Sequence, residues 1–478
     1  MTLALELAAV GAALGHLAIG TCTSRAPVRM LRLSGRLAAC TAVAALAGLA
    51  ATGASSMTVS LVLLALTGTV ATAAIAFGSR YMSGEPRLPR FSRHLVWLVA
   101  MLTVGAGTDS IALFLVAWIG AAEMVVQLVR YDTGDPASRR AAARCRRVFL
   151  IGDALFATGV LLVVAGTGAT TFSGLAVAVS APITQTVLLN FALALVVAGV
   201  CVRCALVPGH RWLLASMSAP TPVSALLHGG FVNAGGIACL KLSPLLGAMP
   251  LAAYLLVFIA ACSAVGGALV LVFRSDIKGR LAGSTVTQMS YMLVQCALGA
   301  WAHALFHLVA HALYKSHAFL RSGSSVKPLM PASTRARAWI LLAPGIVFVT
   351  LDFGTSLALA DVLLVTFFCS LAAEAGVVAL ARGLKSSRVP TAASMLALGA
   401  GVAHAGPRLL SGAAPEQHAL DTALTADLML VMTLCLSAIA FARITGRGLP
   451  AVLAARARRL AFPDSAHGIS PRRHEAPR

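Results

Sequence analysis

Long apolar runs recur from one end of the chain to the other, and they constrain the fold more than any other feature of the sequence. Most of them have the length, about 17 to 25 residues, that an α-helix needs to cross the hydrocarbon core of a bilayer. The runs lie near residues 2–20, 37–53, 58–78, 94–106, 109–129, 148–166, 184–207, 219–240, 250–273, 281–299, 303–321, 337–354, 356–382, 390–410 and 425–444. Hydrophobic residues make up 59% of the chain and charged residues only 11%, a balance that no soluble globular protein needs. The sequence therefore predicts an all-α polytopic membrane protein with about 14–15 transmembrane helices.

The basic residues are concentrated in alternate connections between these runs. The net charge is +21, and a charge of this size in a soluble chain would suggest nucleic-acid binding. Here the clusters are Arg25, Arg29, Arg32 and Arg36; Arg80, Arg87, Arg90 and Arg93; Arg130, Arg139, Arg140, Arg144, Arg146 and Arg147; Arg274, Lys278 and Arg280; Arg335 and Arg337; Arg382, Lys385 and Arg388; Arg456, Arg458 and Arg459. The positive-inside rule places them in the cytoplasm, with the N-terminus outside and the C-terminus inside. We therefore expect the chain to lie in a lipid bilayer and to bind no nucleic acid.

The polar connections are too short to hold a soluble domain. We therefore expect one membrane domain over residues 1–445 and a basic cytoplasmic tail, flexible or used for docking, over residues 446–478. Prolines at 207–210 and 218–222 remove backbone donors near helix ends and suggest broken helices that line a cavity. A plain loop between two helices remains an equal alternative for the first of these breaks.

A stripe of titratable side chains runs along one predicted helix. His303, His307, His311 and Lys315 recur at every fourth position, and His317 follows two residues later. Side chains four apart on a helix lie about 6 Å apart along its axis, so a proton can step between neighbours through one water molecule. Imidazole both donates and accepts near neutral pH. The stripe predicts a proton path through His307, His311 and Lys315, with His303 and His317 at its ends as possible accessory groups. Hydrogen bonding between packed helices is the simpler alternative for any single histidine.

The sequence offers little for a metal, a cofactor or catalysis. The His-x-x-x-His repeats have the spacing of zinc ligands, but no cysteine or carboxylate lies within one turn of them. Neither a Ser-His-Asp set nor a phosphate-binding glycine loop is present. We therefore predict that the chain binds no metal or cofactor and is not itself an enzyme.

A few other ionisable residues fall within the apolar runs, where each is costly unless it has a partner or a hydrated cavity. They are Glu123, Asp153, Arg203, His228, Asp361 and Glu374. The first three lie on consecutive predicted helices, so they are expected to form an acid/base cluster that couples ion movement to conformation. A static salt bridge is the equal alternative. Asp361 and Glu374 are also candidates for contacts with other subunits, and Glu374 is a possible accessory site.

Several motifs resemble a known family. They are APTPVSALLH at 219–228, DIK at 276–278, STVTQMSYM at 284–292, and the His307, His311 and Lys315 run. Together these are similar to the proton-translocating antiporter-like subunits of respiratory complex I and of Mrp-type cation/proton antiporters. The resemblance covers residues 95–385 and implies an antiporter-like fold with inverted repeats and broken helices.

The resemblance also implies roles for particular residues. Asp153 occupies the carboxylate position of the sixth helix, Arg203 the lysine position of the seventh, and His228 the histidine position of the eighth. His307, His311 and Lys315 correspond to the central hydrophilic axis.

Three departures from the family pattern limit this transfer of roles. Trp118 is followed by Ile119 where the family has a glutamate, and Glu123 comes later. Arginine at position 203 hardly ever deprotonates, unlike the family's lysine. No lysine lies between Lys327 and Lys385 to serve as the exit-side lysine of the twelfth helix.

Two segments narrow the resemblance further. HGGFVNAGG at 228–236 and HALYKSHAFL at 311–320 are similar to the DabB family of inorganic carbon transporter membrane subunits. This implies proton or sodium conduction that powers CO2/bicarbonate uptake by a DabA-like soluble or peripheral partner, which resembles a zinc-dependent carbonic anhydrase and holds the zinc. A proton-pumping subunit of an NADH-quinone oxidoreductase-type complex, an Mrp-type antiporter subunit and a purely structural membrane anchor remain the alternatives.

Overall fold

The described part of the chain, residues 2–24, 26–52, 58–180, 185–274, 276–325 and 451–462, is helical almost throughout in a computed structural model. No β-strand occurs within these ranges, and the only β-type pairing there is an isolated bridge between Ser110 and Thr171. We number the helices α1 (Thr2–Thr21), α2 (Pro27–Thr52), α3 (Thr58–Tyr81), α4 (Leu88–Gly107), α5 (Ile111–Val129), α6 (Pro136–Thr167), α7 (Phe172–Val179), α8 (Thr186–Arg203), α9 (Arg211–Ala215), α10 (Thr221–Gly229), α11 (Ala234–Lys241), α12 (Ser243–Ala248), α13 (Pro250–Phe273), α14 (Ile277–Ala297), α15 (Trp301–Arg321) and α16 (Ala451–Ala461).

The predicted membrane spans up to residue 321 coincide with these helices, and the prediction of an all-α polytopic membrane protein is confirmed. Eight segments of the described ranges are long and apolar enough to cross a bilayer, with α10 and α11 counted as one. The helices α4, α14 and α15 have full membrane length but carry more polar residues. The four predicted spans after residue 337, together with Asp361 and Glu374, lie outside the described residues.

Local sequence signals explain where the longest helices begin and end. Asp135 accepts hydrogen bonds from the backbone N–H groups of Ala137 and Ser138 at 3.0 and 2.9 Å, and Pro136 follows it at the first helical position of α6. The same helix ends at Gly168, whose φ of +72° favours glycine. Asp276 caps α14 in the same way, by accepting from the Gly279 N–H at 2.7 Å.

Contacts between helix ends define the two ends of the bundle. The Thr23 hydroxyl, just after α1, donates to the Pro89 carbonyl at the start of α4 at 3.3 Å. At the other end of the same pair, the Thr108 hydroxyl donates to Glu6 at 2.5 Å. The two helices are therefore antiparallel. We call the end with Glu6 and Thr108 the N-terminal end, and the opposite end, where Arg87 pairs with Asp132 at 2.5 Å, the arginine-rich end.

Glycines bring the backbones of α6 and α8 close together. A Cβ atom at Gly159 of α6 would lie 2.6 Å from the Ala192 carbonyl oxygen and 2.8 Å from the Val196 nitrogen. A Cβ atom at Gly199 of α8 would lie 2.8 Å from the Gly152 carbonyl oxygen. Small residues allow this approach in membrane helices, where van der Waals packing is a main source of association. The close packing holds Asp153 of α6 next to Arg203 of α8.

Substitution of Gly159 by alanine is expected to lower the thermal stability of the protein. The added methyl group meets backbone atoms that have no freedom to move aside, and overpacking of this kind costs about 1–3 kcal/mol. Thermal unfolding of the detergent-purified protein measures the effect. Gly11→Ala is the matched control, because a Cβ atom there meets nothing within 4 Å. Equal midpoints for the two variants would contradict the close approach of α6 and α8.

The broken span lies at a different place from the one that the prolines suggested. Pro220 directly precedes α10 and Pro222 lies in its first turn, where proline is tolerated. The interruption is instead at Gly230, followed by one 3-10 turn over Phe231–Asn233, after which α11 begins. Residues 204–220 form a connection that contains the short helix α9, so the plain-loop interpretation of the first proline site is the correct one.

Part of the predicted tail is a packed helix rather than a flexible segment. Helix α16 packs against α13. His210 Nε2 donates to the Leu460 carbonyl at 3.0 Å, and Arg274 donates to the Ala461 carbonyl at 3.2 Å. Donors at the last carbonyls of a helix satisfy groups that otherwise lack partners and oppose its negative end. Of the two alternatives for the tail, docking agrees with the packing of Ala451–Ala461 and flexibility does not, while the domain boundary at residue 445 stays a prediction.

Candidate functional site

The predicted stripe of ionisable residues lies in the interior of the helix bundle. Helix α15 packs against α3, α10 and α14, and His307, His311 and Lys315 are fully buried. His303 is also buried, with 7% of its surface exposed. His317 points away from this interior and is exposed. The structure therefore brings four of the five predicted groups onto one buried face.

Neutral amide side chains orient two of the buried histidines. Nδ1 of His311 lies 3.2 Å from Oδ1 of Asn233, whose Nδ2 donates to the Gly229 carbonyl at 3.1 Å. Nδ1 of His307 lies 3.0 Å from Oε1 of Gln295. An amide oxygen only accepts, so both Nδ1 atoms carry the proton and Nε2 is the accepting nitrogen of each ring. The ring centroids of His307 and His311 are 6.5 Å apart, a distance that one water molecule can bridge.

Lys315 and two hydroxyl groups converge on one backbone carbonyl of α14. Lys315 Nζ donates to Ser284 Oγ at 2.5 Å and to the Leu281 carbonyl at 3.4 Å. The hydroxyls of Ser284 and Thr285 donate to the same carbonyl at 3.0 and 2.9 Å. Both oxygen atoms that the ammonium contacts, Ser284 Oγ and Leu281 O, are neutral.

His228 joins this group from the first half of the broken span. Its Nδ1 lies 3.0 Å from the Thr285 hydroxyl oxygen, and its ring stacks on Phe319 with centroids 4.1 Å apart. The Thr285 proton is already directed to Leu281, so the threonine oxygen accepts and His228 Nδ1 donates. Among the described residues nothing pairs with Nε2 of His228 or of His311, although both rings are fully buried. Each ring thus presents one accepting nitrogen inside the bundle.

Sequence reasoning did not identify the residues that orient this site. Asn233, Ser284 and Thr285 lie inside the motifs that carry the family resemblance, and Gln295 is on the same helix, α14, as the last two. The available signal was the polar spacing of α14, because Ser284, Gln288 and Gln295 are four and seven residues apart and share one helix face.

Asp153 and Arg203 form a buried ion pair, as expected from the sequence. Arg203 donates to Asp153 Oδ1 at 2.6 Å and to the Trp118 carbonyl at 3.1 Å. The Trp118 indole N–H donates to the same carboxylate oxygen at 2.8 Å. The guanidinium lies 4.1 Å from the Trp118 ring centroid and 4.4 Å from that of Phe231. Aromatic faces of this kind stabilise a buried cation, and only 1% of Arg203 is exposed.

Glu123 is not part of this pair, and the predicted three-residue cluster is wrong in this respect. Glu123 accepts from Arg146 at 2.6 Å, and both side chains are nearly half exposed. It also accepts from Gln127 at 2.7 Å. Five residues of helix turn a side chain by about 140°, so Glu123 faces away from the position of Trp118. Any role of Glu123 in ion movement stays a prediction.

The interrupted span connects the Asp153–Arg203 ion pair to the buried histidines of α15. Phe231 and Asn233 belong to the same 3-10 turn. Phe231 contacts the Arg203 guanidinium, and Asn233 accepts from His311. The described ranges contain no group of three or more His, Cys, Asp or Glu side chains arranged to hold a metal ion. The arrangement places hydrogen-bond donors and acceptors that can hold and exchange protons inside the bundle.

Comparison with known proteins agrees with this geometry. Residues 108–353 match the family model described as NADH:quinone oxidoreductase/Mrp antiporter, TM. The chain is 35% identical over 269 residues to the probable inorganic carbon transporter subunit DabB of Hydrogenovibrio crunogenus, covering 55% of this chain and 51% of that protein. It is 32% identical over 249 residues to NADH-quinone oxidoreductase subunit L of Mycobacterium tuberculosis, covering 52% of this chain and 39% of that protein.

The fold is shared with a solved membrane complex. The Mrp complex from Dietzia sp. DQ12-45-1b contains a chain that superposes with a TM-score of 0.62 and 20% identity, over 97% of this chain and 59% of that one. The chain spans about half the length of the curated relatives it matches. The predicted antiporter-like fold is thereby confirmed, and the family model covers more than half of the sequence. This chain belongs to the NADH:quinone oxidoreductase/Mrp antiporter transmembrane family.

Proposed function

We propose that this chain is the ion-conducting membrane subunit of an energy-coupled inorganic carbon uptake complex in a bacterial inner membrane. The observation that carries the proposal is the buried file of His307, His311, Lys315 and His228 in a bundle of membrane-length helices. Buried ionisable groups in a membrane interior are costly and mark ion pathways by default. Four of them along one path favour conduction over a static anchor.

The hydrogen bonds of the file are suited to a proton relay. A proton that arrives at Nε2 of His311 or His228 creates an imidazolium, whose other N–H is already held by a neutral oxygen acceptor. Lys315 is held by one hydroxyl oxygen and one carbonyl oxygen. Both are neutral, so they can stay in place whether the lysine is charged or has released its proton. Sodium ions, which prefer the same oxygen ligands, are the alternative coupling ion.

Arg203 has a different task, because a guanidinium hardly ever releases its proton. Arg203 therefore keeps its charge throughout. Its ion pair with Asp153 responds to protons moving nearby by separating or re-forming. In this scheme the pair controls conformation, and Lys315 and the histidines carry the charge.

We propose that protons flow inward, from the N-terminal end of the bundle to the arginine-rich end, which the positive-inside rule places in the cytoplasm. One proton that crosses a potential of about 150 mV releases roughly 3.5 kcal/mol, which biases an equilibrium by more than about a hundredfold. We propose that this energy makes CO2 hydration to bicarbonate one-way at the zinc of a DabA-like partner. Catalysis and zinc then belong to the partner and not to this chain.

Purification of the chain from its native membrane, with the chain as bait, tests the assignment. We expect a large zinc-containing partner to elute with it, and metal analysis of the complex should give zinc in proportion to the partner. The names of two curated relatives, probable inorganic carbon transporter subunits DabB and DabB2, support this expectation. Gly11→Ala bait is the control for expression and capture, because the change meets no neighbouring atom.

The alternative function is a proton-pumping subunit of an NADH-quinone oxidoreductase-type complex or a subunit of an Mrp-type antiporter. The similarity to a subunit L protein is the observation that favours it. The same purification separates the two. Co-elution of quinone-reductase or Mrp-type subunits without a zinc protein would contradict the carbon-uptake assignment and leave ion conduction in place.

A further inference from the structure

A second lysine lies on the continuation of the ion path, at the N-terminal end of the bundle. Lys241 is the last residue of α11, the helix that begins immediately after Asn233. Its Nζ donates to the Thr108 carbonyl at 2.7 Å and lies 5.2 Å from the centroid of the Phe172 ring. Eight helical residues span about 12 Å, so Lys241 lies roughly that far along the axis from the amide that holds His311.

Glu6 of α1 is attached to the same threonine. The Thr108 hydroxyl donates to Glu6 Oε1 at 2.5 Å, and the Ser110 N–H donates to the same oxygen at 3.2 Å. Asp109 also acts on Lys241 electrostatically, while its carboxylate accepts from the backbone N–H of Ser173 at 3.1 Å. The groups around Lys241 are therefore two carboxylates, one carbonyl and one aromatic ring, from α1, the α4–α5 connection and α7.

The choice of lysine at this position is informative. The chain has 37 basic residues, of which only Lys241, Lys278, Lys315, Lys327 and Lys385 are lysines. The three lysines in the described ranges each donate to a backbone carbonyl at a different level of the bundle. Lys278 binds Ala219 O at 3.1 Å near the arginine-rich end, Lys315 binds Leu281 O at 3.4 Å in the interior, and Lys241 binds Thr108 O at 2.7 Å. Lysine can release a proton where arginine does not.

We propose that Lys241 and Glu6 form the outer terminus of the ion path, where protons are exchanged with the N-terminal side of the membrane. The proposal rests on the proposed function of the file. On inward flow, one proton passes from neutral Glu6 through bridging water to neutral Lys241, leaving a carboxylate and an ammonium. The ammonium then gives the proton to water molecules that carry it along the roughly 12 Å of α11 to Nε2 of His311, and Lys241 becomes neutral again. Glu6 regains its proton from a hydronium ion on the N-terminal side, which is left as water.

Ion flux through the assembled complex in proteoliposomes tests the proposal, with Lys241→Arg as the first variant. Arginine keeps the positive charge and the donor to Thr108 but blocks deprotonation, so flux should fall by at least about tenfold while thermal stability is retained. Glu6→Gln is the second variant, because its amide oxygen still accepts from Thr108 and Ser110 but does not carry a proton. Its flux should fall as well. Arg87→Lys is the matched control. It also interchanges arginine and lysine, but in an exposed ion pair with Asp132 that is away from the proposed path.

The outcomes separate this inference from the proposed function. Normal flux in either Lys241→Arg or Glu6→Gln, with Lys315→Met inactive, overturns the terminus and leaves the function of the file intact. Normal flux in Lys315→Met as well overturns both. If Lys241→Arg fails to assemble, Glu6→Gln decides alone. That change is on α1, keeps the hydrogen bonds from Thr108 and Ser110, and removes the group that takes up and releases a proton.

Discussion

Replacement of Lys315 by methionine is expected to abolish ion translocation while the protein still assembles in the membrane. Methionine fills a similar volume without a charge, so the packing of α15 against α10 and α14 is kept. Among the described residues, the lost group is the only ammonium that contacts Ser284 and Leu281. Under the proposed function, inorganic carbon uptake is lost with it. Growth in air of cells that lack carbonic anhydrase and carry this chain with its partner measures the effect, and immunoblotting of membranes measures assembly.

His317→Ala is the matched control for Lys315→Met. It lies on the same helix two residues away but is exposed and outside the file. We expect the control to grow as the wild type does, and His311→Ala to fail like Lys315→Met. Growth of both Lys315→Met and His311→Ala cells in air would rule out the relay and favour a structural anchor.

Replacement of Asp153 by asparagine is expected to cause the largest loss of stability among single substitutions at the site. It leaves the Arg203 guanidinium buried without its counter-charge, and the loss of one partner of a buried pair costs about 3–5 kcal/mol. The stacking on Trp118 and Phe231 offsets only part of this cost. A lower thermal midpoint of the detergent-purified protein and less protein in the membrane are the expected results.

Glu123→Gln is the control, because it neutralises the other predicted acidic residue in an exposed pair with Arg146. Pairs of that kind contribute about 1 kcal/mol or less. The double variant Asp153→Asn/Arg203→Met should recover part of the stability, since it removes the orphaned charge, but should not recover flux. An Asp153→Asn midpoint equal to that of Glu123→Gln would mean that the Arg203 charge is not desolvated.

The spans and their ends were largely predictable from the sequence, because they depend on local physics. Apolar length sets each span, and Asp135, Gly168 and Asp276 act on the residues next to them. The position of the break was not predictable in this way. Prolines at 220 and 222 suggested it, but proline is compatible with a first helical turn. The Gly229-Gly230 pair marks the actual break, but glycine also occurs within membrane helices and does not by itself separate the two cases.

The membership of the site was predictable, and its geometry was not. The stripe on α15 follows from spacing along one helix. Its partners Asn233, Thr285 and Gln295 come from other helices, and no local pattern specifies which polar side chain meets which histidine. The separation of Glu123 from Asp153 has the same cause, since a shift of five residues along α5 changes the face and the neighbour.

The 3-10 turn at Phe231–Asn233 makes the two halves of the site one mechanical unit. Phe231 rests on the Arg203 guanidinium, and two residues later Asn233 holds His311. Gly230 precedes the turn and can act as its hinge. Helix α11 follows the turn and extends to Lys241, so it would move with the turn as one segment. Under the proposed function, a displacement of the guanidinium would change the orientation of an imidazole without any charge passing between them. The timing of proton steps and the movement of the arginine would then both depend on Phe231–Asn233.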